Sequence, residues 1–194
     1  MREIFYEETA SNTRYDAQKP AYMIFRGLAY LTITLSIVWI IVGFFTIDFA
    51  SSSLVINLIF AIVPAIVLFG CGVLFLNLSD NYCVEYDYVL LNDKLSFSKV
   101  ICNNRRVNIS EIEVGKIEKI GLYENKNYER YKSTPDVKIK ILTANKTPIN
   151  DKKFIYIYTT VNAQKYIFIL ETTAKLLKNM SIYLNRYAID EDLF

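Results

Sequence analysis

Three carboxylates lie close together in the segment from Ser110 to Leu122: Glu111, Glu113 and Glu118. Paired carboxylates are raw material for general acid–base catalysis. Three cysteines, Cys71, Cys83 and Cys102, could likewise supply thiolate chemistry. Neither set is completed by what surrounds it. The 194 residues contain no histidine, which removes the commonest general base, the His-Ser and His-Cys arrangements and every His-containing metal site. The cysteines make no CxxC spacing and read as free packing thiols of a reducing compartment. The glutamates fit a charged solvent face, and the six glycines form no phosphate-cradling pattern. The expectation is therefore a protein that is not an enzyme, with no catalytic residue, no metal and no cofactor.

Binding chemistry is better represented. "SKVICNNRRVNIS" reads as a hairpin turning at Asn103-Asn104, and with Lys94 it offers four cations: Lys94, Lys99, Arg105 and Arg106. Near an anionic leaflet each is worth about 1 kcal/mol, which makes them the candidate lipid-facing residues. The plainer expectation is a solvated hairpin tip. Lys138, Lys140, Lys146, Lys152 and Lys153 are expected on a wet strand face and in the turns after it. Tyr123, Tyr128 and Tyr131, in the polar stretch "YENKNYERY", are candidate protein contacts, because tyrosine buries much area for little entropy. A net charge of +2 does not suggest nucleic acid.

These residues must be positioned by two kinds of element. Gly27–Ile47 and Leu54–Leu78 carry no charged residue and are each long enough for a membrane span. The first begins too late, and is followed too soon by the second, to be a signal peptide. The short connection, "DFASSS" with its preceding turn, predicts a hairpin with both outer ends on one side. Arg14, Lys19 and Arg26 precede the first span while the connection holds only Asp48, so the positive-inside rule places both termini in the cytoplasm of a two-span cell-membrane protein. No ionisable residue lies within either span, so no transport pathway is indicated. Gly70 and Gly72, flanking Cys71, form a small-residue face for helix packing, either inside the hairpin or against another subunit.

After residue 78 the pattern changes to strand-like alternation through "YCVEYDYVLL", "KLSFSKVI", "RRVNISEIE", "VKIKIL", "FIYIYTT" and "KYIFILE". About seven antiparallel strands are expected. A helix over 172–188 should follow, capped by Thr172 or Thr173 and apolar along Leu176, Leu177, Met180, Tyr183, Leu184 and Tyr187. In that reading residues 1–26 are a separate cytoplasmic segment, 27–78 the hairpin and 79–194 a cytoplasmic domain.

A strand meander closed by one amphipathic helix resembles the pleckstrin-homology-like fold. Together with the hairpin it is similar to a family of small membrane proteins of Gram-positive, clostridial-type bacteria. The stretches that carry the likeness are "MREIFYEET", "KLSFSKVICNNRRVNISEIEVGKIEKIGLY" and "FIYIYTTVNAQKYIFILETTAKLLKNMSIYLNRY". The resemblance implies an α+β membrane protein, a two-helix transmembrane hairpin followed by a pleckstrin-homology-like antiparallel β barrel or sandwich with a C-terminal helix. It carries over no functional residue. The expected role is a non-enzymatic interaction or scaffold protein contacting a protein, a peptide or a second copy at the inner leaflet. The alternatives are an anionic-lipid-binding module and an accessory subunit of a transport complex.

Overall fold

The computed structural model describes residues 4–47, 54–102, 104–149 and 151–193. It divides into two compact units: the hairpin, Tyr15–Cys83, and a domain assembled from the chain before Tyr15 and the chain from Val84 on. The connection 48–53, with Asp48, and the turn residue Asn103 lie outside the described residues.

Helices α1 (Tyr15–Thr46) and α2 (Leu54–Asp80) are both long and apolar enough to cross a membrane. Helix α1 starts well before Gly27, because Tyr15 to Arg26 is also helix-compatible and Pro20 does not stop it. Small residues along Ala29, Ser36 and Gly43 meet Ala61, Ala65 and Gly72. The Ser36 hydroxyl donates to the Ala65 carbonyl at 2.8 Å. A Cβ on Gly43 would lie 2.9 Å from that of Ala61. Close backbone approach of this kind is how apolar helices associate where lipid would solvate either one. The outward faces stay apolar and exposed, Phe45 at 82% and Phe60 at 70%. At the outer end Arg26 meets Asp80 at 3.9 Å and the Phe25 and Tyr82 rings stack at 5.6 Å.

The domain begins with β1 (Phe5–Ala10), so the N-terminal segment does not stand apart as expected. It pairs antiparallel with β2 (Val84–Leu91) from Phe5↔Leu91 to Ala10↔Tyr86, and the hairpin is inserted between two paired strands. Strands β3 (Lys94–Ile101) and β4 (Arg105–Glu113) complete a four-stranded sheet in the order β1-β2-β3-β4. The second sheet has the order β5-β7-β8-β6, from β5 (Ile117–Leu122), β6 (Val137–Ile141), β7 (Lys152–Val161) and β8 (Gln164–Thr173). Asn162 and Ala163, both at positive φ, make the tight β7–β8 turn. The meander is not wholly antiparallel: β6 runs parallel to β8, which the long 142–151 return allows.

Tyr88, Leu95, Phe97, Phe168 and Leu170 fill the interior between the sheets. Helix α4 (Ala174–Met180) closes it with Leu176, Leu177 and Met180. This helix is shorter than the expected 172–188. Thr173 stands at the N-cap as expected and also ends β8, but its hydroxyl makes no capping bond and donates to Glu8 at 2.9 Å. Beyond Ser181 the chain turns, so Leu184 is still buried while Tyr187 is 87% exposed.

A buried polar knot holds β1 and the residues that lead into α1. Glu8 accepts from the Thr173 amide at 3.0 Å and from Lys152, whose Nζ lies 3.5 Å away and also donates to the Thr9 carbonyl at 2.7 Å. Lys152, expected in solvent, is thus structural. Asn145 donates to the Ser11 carbonyl and accepts from the Thr13 amide and hydroxyl at 2.8–3.0 Å. Behind it Glu171, with no exposed surface, accepts from Thr143, Asn145 and the Ile149 amide at 2.7, 2.7 and 2.8 Å. A carboxylate so surrounded cannot be removed cheaply. Glu171→Ala is expected to destabilise the domain by about 3–5 kcal/mol, read from denaturant unfolding of the full chain in neutral detergent.

Burial also moves four tyrosines, and raises Tyr86 with the other three. The Tyr88 and Tyr156 hydroxyls are pushed well above the ordinary value, and Tyr128 is pushed up to about 12. Between pH 10 and their folded values these groups keep a proton that the unfolded chain releases, so stability falls as pH rises. Stability should be insensitive to them below pH 10 and decline above it by about 1.4 kcal/mol per pH unit for each group still protonated. Unfolding midpoints set beside tyrosinate absorbance check this.

Candidate functional site

The four cations of the first hairpins do not form one patch. Lys94 stands at one end of β3, opposite Glu113, and Arg105 pairs with Ile101 at the other end. Eight residues of strand at about 3.3 Å each separate them. Lys94 is bound to Glu111 at 3.4 Å. Arg106 reaches across the outer face of the sheet to Asp87 at 2.6 Å and Glu7 at 3.4 Å. Asp87 is buried and also accepts from Thr9 at 2.7 Å, so Arg106 stabilises the sheet. Lys99 and Arg105 are engaged in no ion pair among the described residues. Arg105 is exposed and shares its end of the sheet with Val84, through Ile101.

The tyrosines of the polar stretch face inward rather than out. Residues 126–132 form a short helix, α3 (Lys126–Lys132), capped by the Asn125 side chain accepting from the Tyr128 amide at 2.8 Å. This helix lays Tyr128 and Tyr131 on the outer face of the second sheet. The Tyr131 ring stacks on Tyr158 at 4.6 Å, and Tyr123 and Tyr128 approach to 4.8 Å. Tyr128 is buried and the other two are half-buried, so they build a second small core with Ile167 and Ile169 and are not free for a partner. Gly72 is likewise used within the hairpin: a Cβ there would meet Ile33 at 2.5 Å and the Ala29 carbonyl at 3.2 Å. Gly70 faces open space.

Each buried carboxylate of the domain is saturated. Asp190 accepts from the Tyr156 hydroxyl at 2.5 Å, Asn127 at 2.9 Å and Asn125 at 3.1 Å, and Lys119 stands 4.0 Å away. Gly121 makes room for it, since a Cβ would overlap that carboxylate. Glu8, Asp87 and Glu171 are bound as described above. None is presented to a cleft as a free base. Glu111, Glu113 and Glu118 are exposed, as the sequence suggests.

A surface that the sequence assigns to solvent combines cations with an open sheet margin. Where β4 and β6 leave the two sheets unclosed, a cleft of about 280 Å³ opens, lined by Ile109 and Ser110 from β4, Lys138 and Lys140 from β6, and Val161 and Tyr166 from the β7–β8 hairpin. Ile109, Val161 and Tyr166 are half-buried there and pack on the interior core, while polar atoms make up most of the cleft's open surface. The register Lys138↔Tyr166 and Lys140↔Phe168 puts both lysines on the core side of β6. Lys140 lies 4.8 Å from the centre of the Tyr166 ring. A cation over an aromatic face is favourable, and both lysines remain free of carboxylate partners among the described residues. The opposite face of β6 turns Ile139 and Ile141 outward. The alternation itself was visible in "VKIKIL"; which face looks inward was not.

The arrangement is suited to binding. It combines a few core-margin apolar side chains, two cations without carboxylate partners among the described residues, and two strand edges that carry backbone donors and acceptors. No curated protein and no solved structure matches the chain. A family model described as Bacterial PH-like domain (DUF6106) matches residues 23–190, which takes in most of α1, all of α2, every strand but β1, and α4. The match covers most of the chain, which therefore belongs to the bacterial PH-like domain family DUF6106.

Proposed function

We propose that the chain is a non-enzymatic, membrane-anchored interaction protein whose hairpin crosses the membrane twice and whose PH-like domain meets a protein or peptide at the cytoplasmic surface. The pairing of β1 with β2 carries this reading. One folded sheet holds both the strand before the hairpin and the strand after it, and such a chain can cross a bilayer only with both outer ends on one side. The cations before the first apolar run favour the cytoplasm for that side, and three free cysteines agree. The non-enzymatic part is supported by buried carboxylates that are all committed to structure. The β4–β6 cleft is the surface left for a partner.

A second reading, contact with anionic lipid, is favoured by one observation. Exposed Arg105 shares a sheet end with Val84, which follows the last residue of α2 by only four positions in the chain. With Lys94 and Arg106 committed to carboxylates, Lys99 and Arg105 would carry it. The β3–β4 amides should then exchange more slowly in anionic than in neutral nanodiscs, and Lys99→Ala/Arg105→Ala should abolish the difference.

Sidedness is tested by a single-cysteine variant, Asn104→Cys in a background without Cys71, Cys83 and Cys102. An impermeant maleimide is expected to label it in inverted membrane vesicles and not in intact cells; labelling from outside would overturn the reading. For the interaction itself, a photo-cross-linking residue at Ser110 should give a discrete adduct in native membranes, and one at Arg186 should not.

A further inference from the structure

The cleft suggests more than a generic contact. We propose that the free edge of β6 accepts an extended segment of a partner protein as a fifth strand of the second sheet, and that this segment alternates acidic and apolar residues. The proposal rests on the interaction reading above and names the chemistry of its partner.

The backbone sets the mode. β6 is the terminal strand of its sheet, bonded to β8 on one side only, so the other side presents unpaired amides and carbonyls. An open edge of this kind is a template for strand addition. The cleft runs between that edge and Ile109–Ser110 of β4, which is where an added strand would lie.

The side chains set the sequence. Successive residues of an added strand point to opposite faces, and each meets the β6 residue beside it. On the core-side face those neighbours are Lys138 and Lys140. Among the described residues neither meets a carboxylate, and Lys140 stands 4.8 Å from the centre of the Tyr166 ring beside the cleft. Two carboxylates spaced two residues apart on the incoming strand would supply the missing partners. On the other face the neighbours are Ile139, 40% exposed, and Ile141, 59% exposed. They stand in register with Ile167 and Ile169 of the tyrosine-lined core, so apolar residues arriving there would extend a cluster already present. Lys138, Ile139 and Ile141 are all exposed and Lys140 is half-buried, so the edge offers a charged face and an apolar face together.

The experiment uses the full-length protein in neutral detergent and a labelled seven-residue peptide that alternates valine and glutamate. Binding by anisotropy is read together with amide exchange on β6. The peptide is expected to bind and to protect β6. Lys138→Glu/Lys140→Glu should weaken it at least tenfold and should instead take up the peptide with lysine in place of glutamate. That charge exchange also shows that the variant is folded. Equal binding of a peptide of the same composition with its glutamates contiguous would overturn the proposal, as would equal binding to the reversed-charge variant, or no binding. Two further results would reassign the edge: protection of β6 on transfer to neutral nanodiscs without peptide, which is contact with bilayer, and self-association abolished by the charge reversal, which is a second copy. If the peptide fails while the Ser110 cross-linker still yields its adduct, this inference falls and the interaction reading stands.

Discussion

The structure depends on one pairing, β1 with β2, made across an insertion of two long helices. Closing a flexible loop of that length costs about 4 kcal/mol of chain entropy. A packed hairpin in place of a flexible loop lowers this cost. Its helices are locked by Ser36 on Ala65 and by the glycine contacts, and its outer ends are drawn together by Arg26 and Asp80. Two unrelated kinds of packing therefore reinforce each other. Small residues join apolar helices, and a hydrogen-bonded ladder then joins the strands that those helices deliver.

The polar knot explains how so short a strand holds. Six residues of β1 bring only Ala10 fully into the core, so burial alone is a weak anchor. Glu8, Asn145 and Glu171 add a set of hydrogen bonds whose members are all satisfied, which is the condition under which a buried polar network stabilises and specifies one arrangement. The same network joins the segment after β6 to Ser11 and Thr13, two residues before α1 begins. The return from the cleft strand and the approach to the first helix are therefore tied by one asparagine.

Much of this was legible in the sequence and some was not, for physical reasons. Two uncharged runs long enough to cross a membrane are plain in the sequence, and so is the change to period two after residue 78. "FYEETA" reads as a strand only once its partner is known, because six half-polar residues carry no period that distinguishes an N-terminal tail from an edge strand. Tyr128 and Tyr131 lie among charges, and their burial depends on a seven-residue helix whose cap, Asn125, is a weak local signal. Lys152 resembles its neighbour Lys153 in sequence; only the three-dimensional position of Glu8 separates a structural lysine from a solvated one. Arg106 and Lys94 are the same case on the other sheet, where cross-strand carboxylates take up charges that sequence alone leaves free for lipid.

Strand alternation has a limit that β6 makes concrete. Period two says which residues share a face and nothing about which face is wet. For most strands hydrophobicity decides, since the apolar face is driven inward. β6 reverses the rule because it lies at the margin of its sheet. The core beneath it ends at Phe168, so the core-side face meets an opening, and lysine stems can cover aromatic carbon there while their ammonium groups reach water. Ile139 and Ile141 take the other face because Ile167 and Ile169 are already there to contact, although nothing in the chain covers them from outside. A margin of this sort leaves apolar area and backbone hydrogen bonds unfinished at the same place, and a partner strand would satisfy both at once.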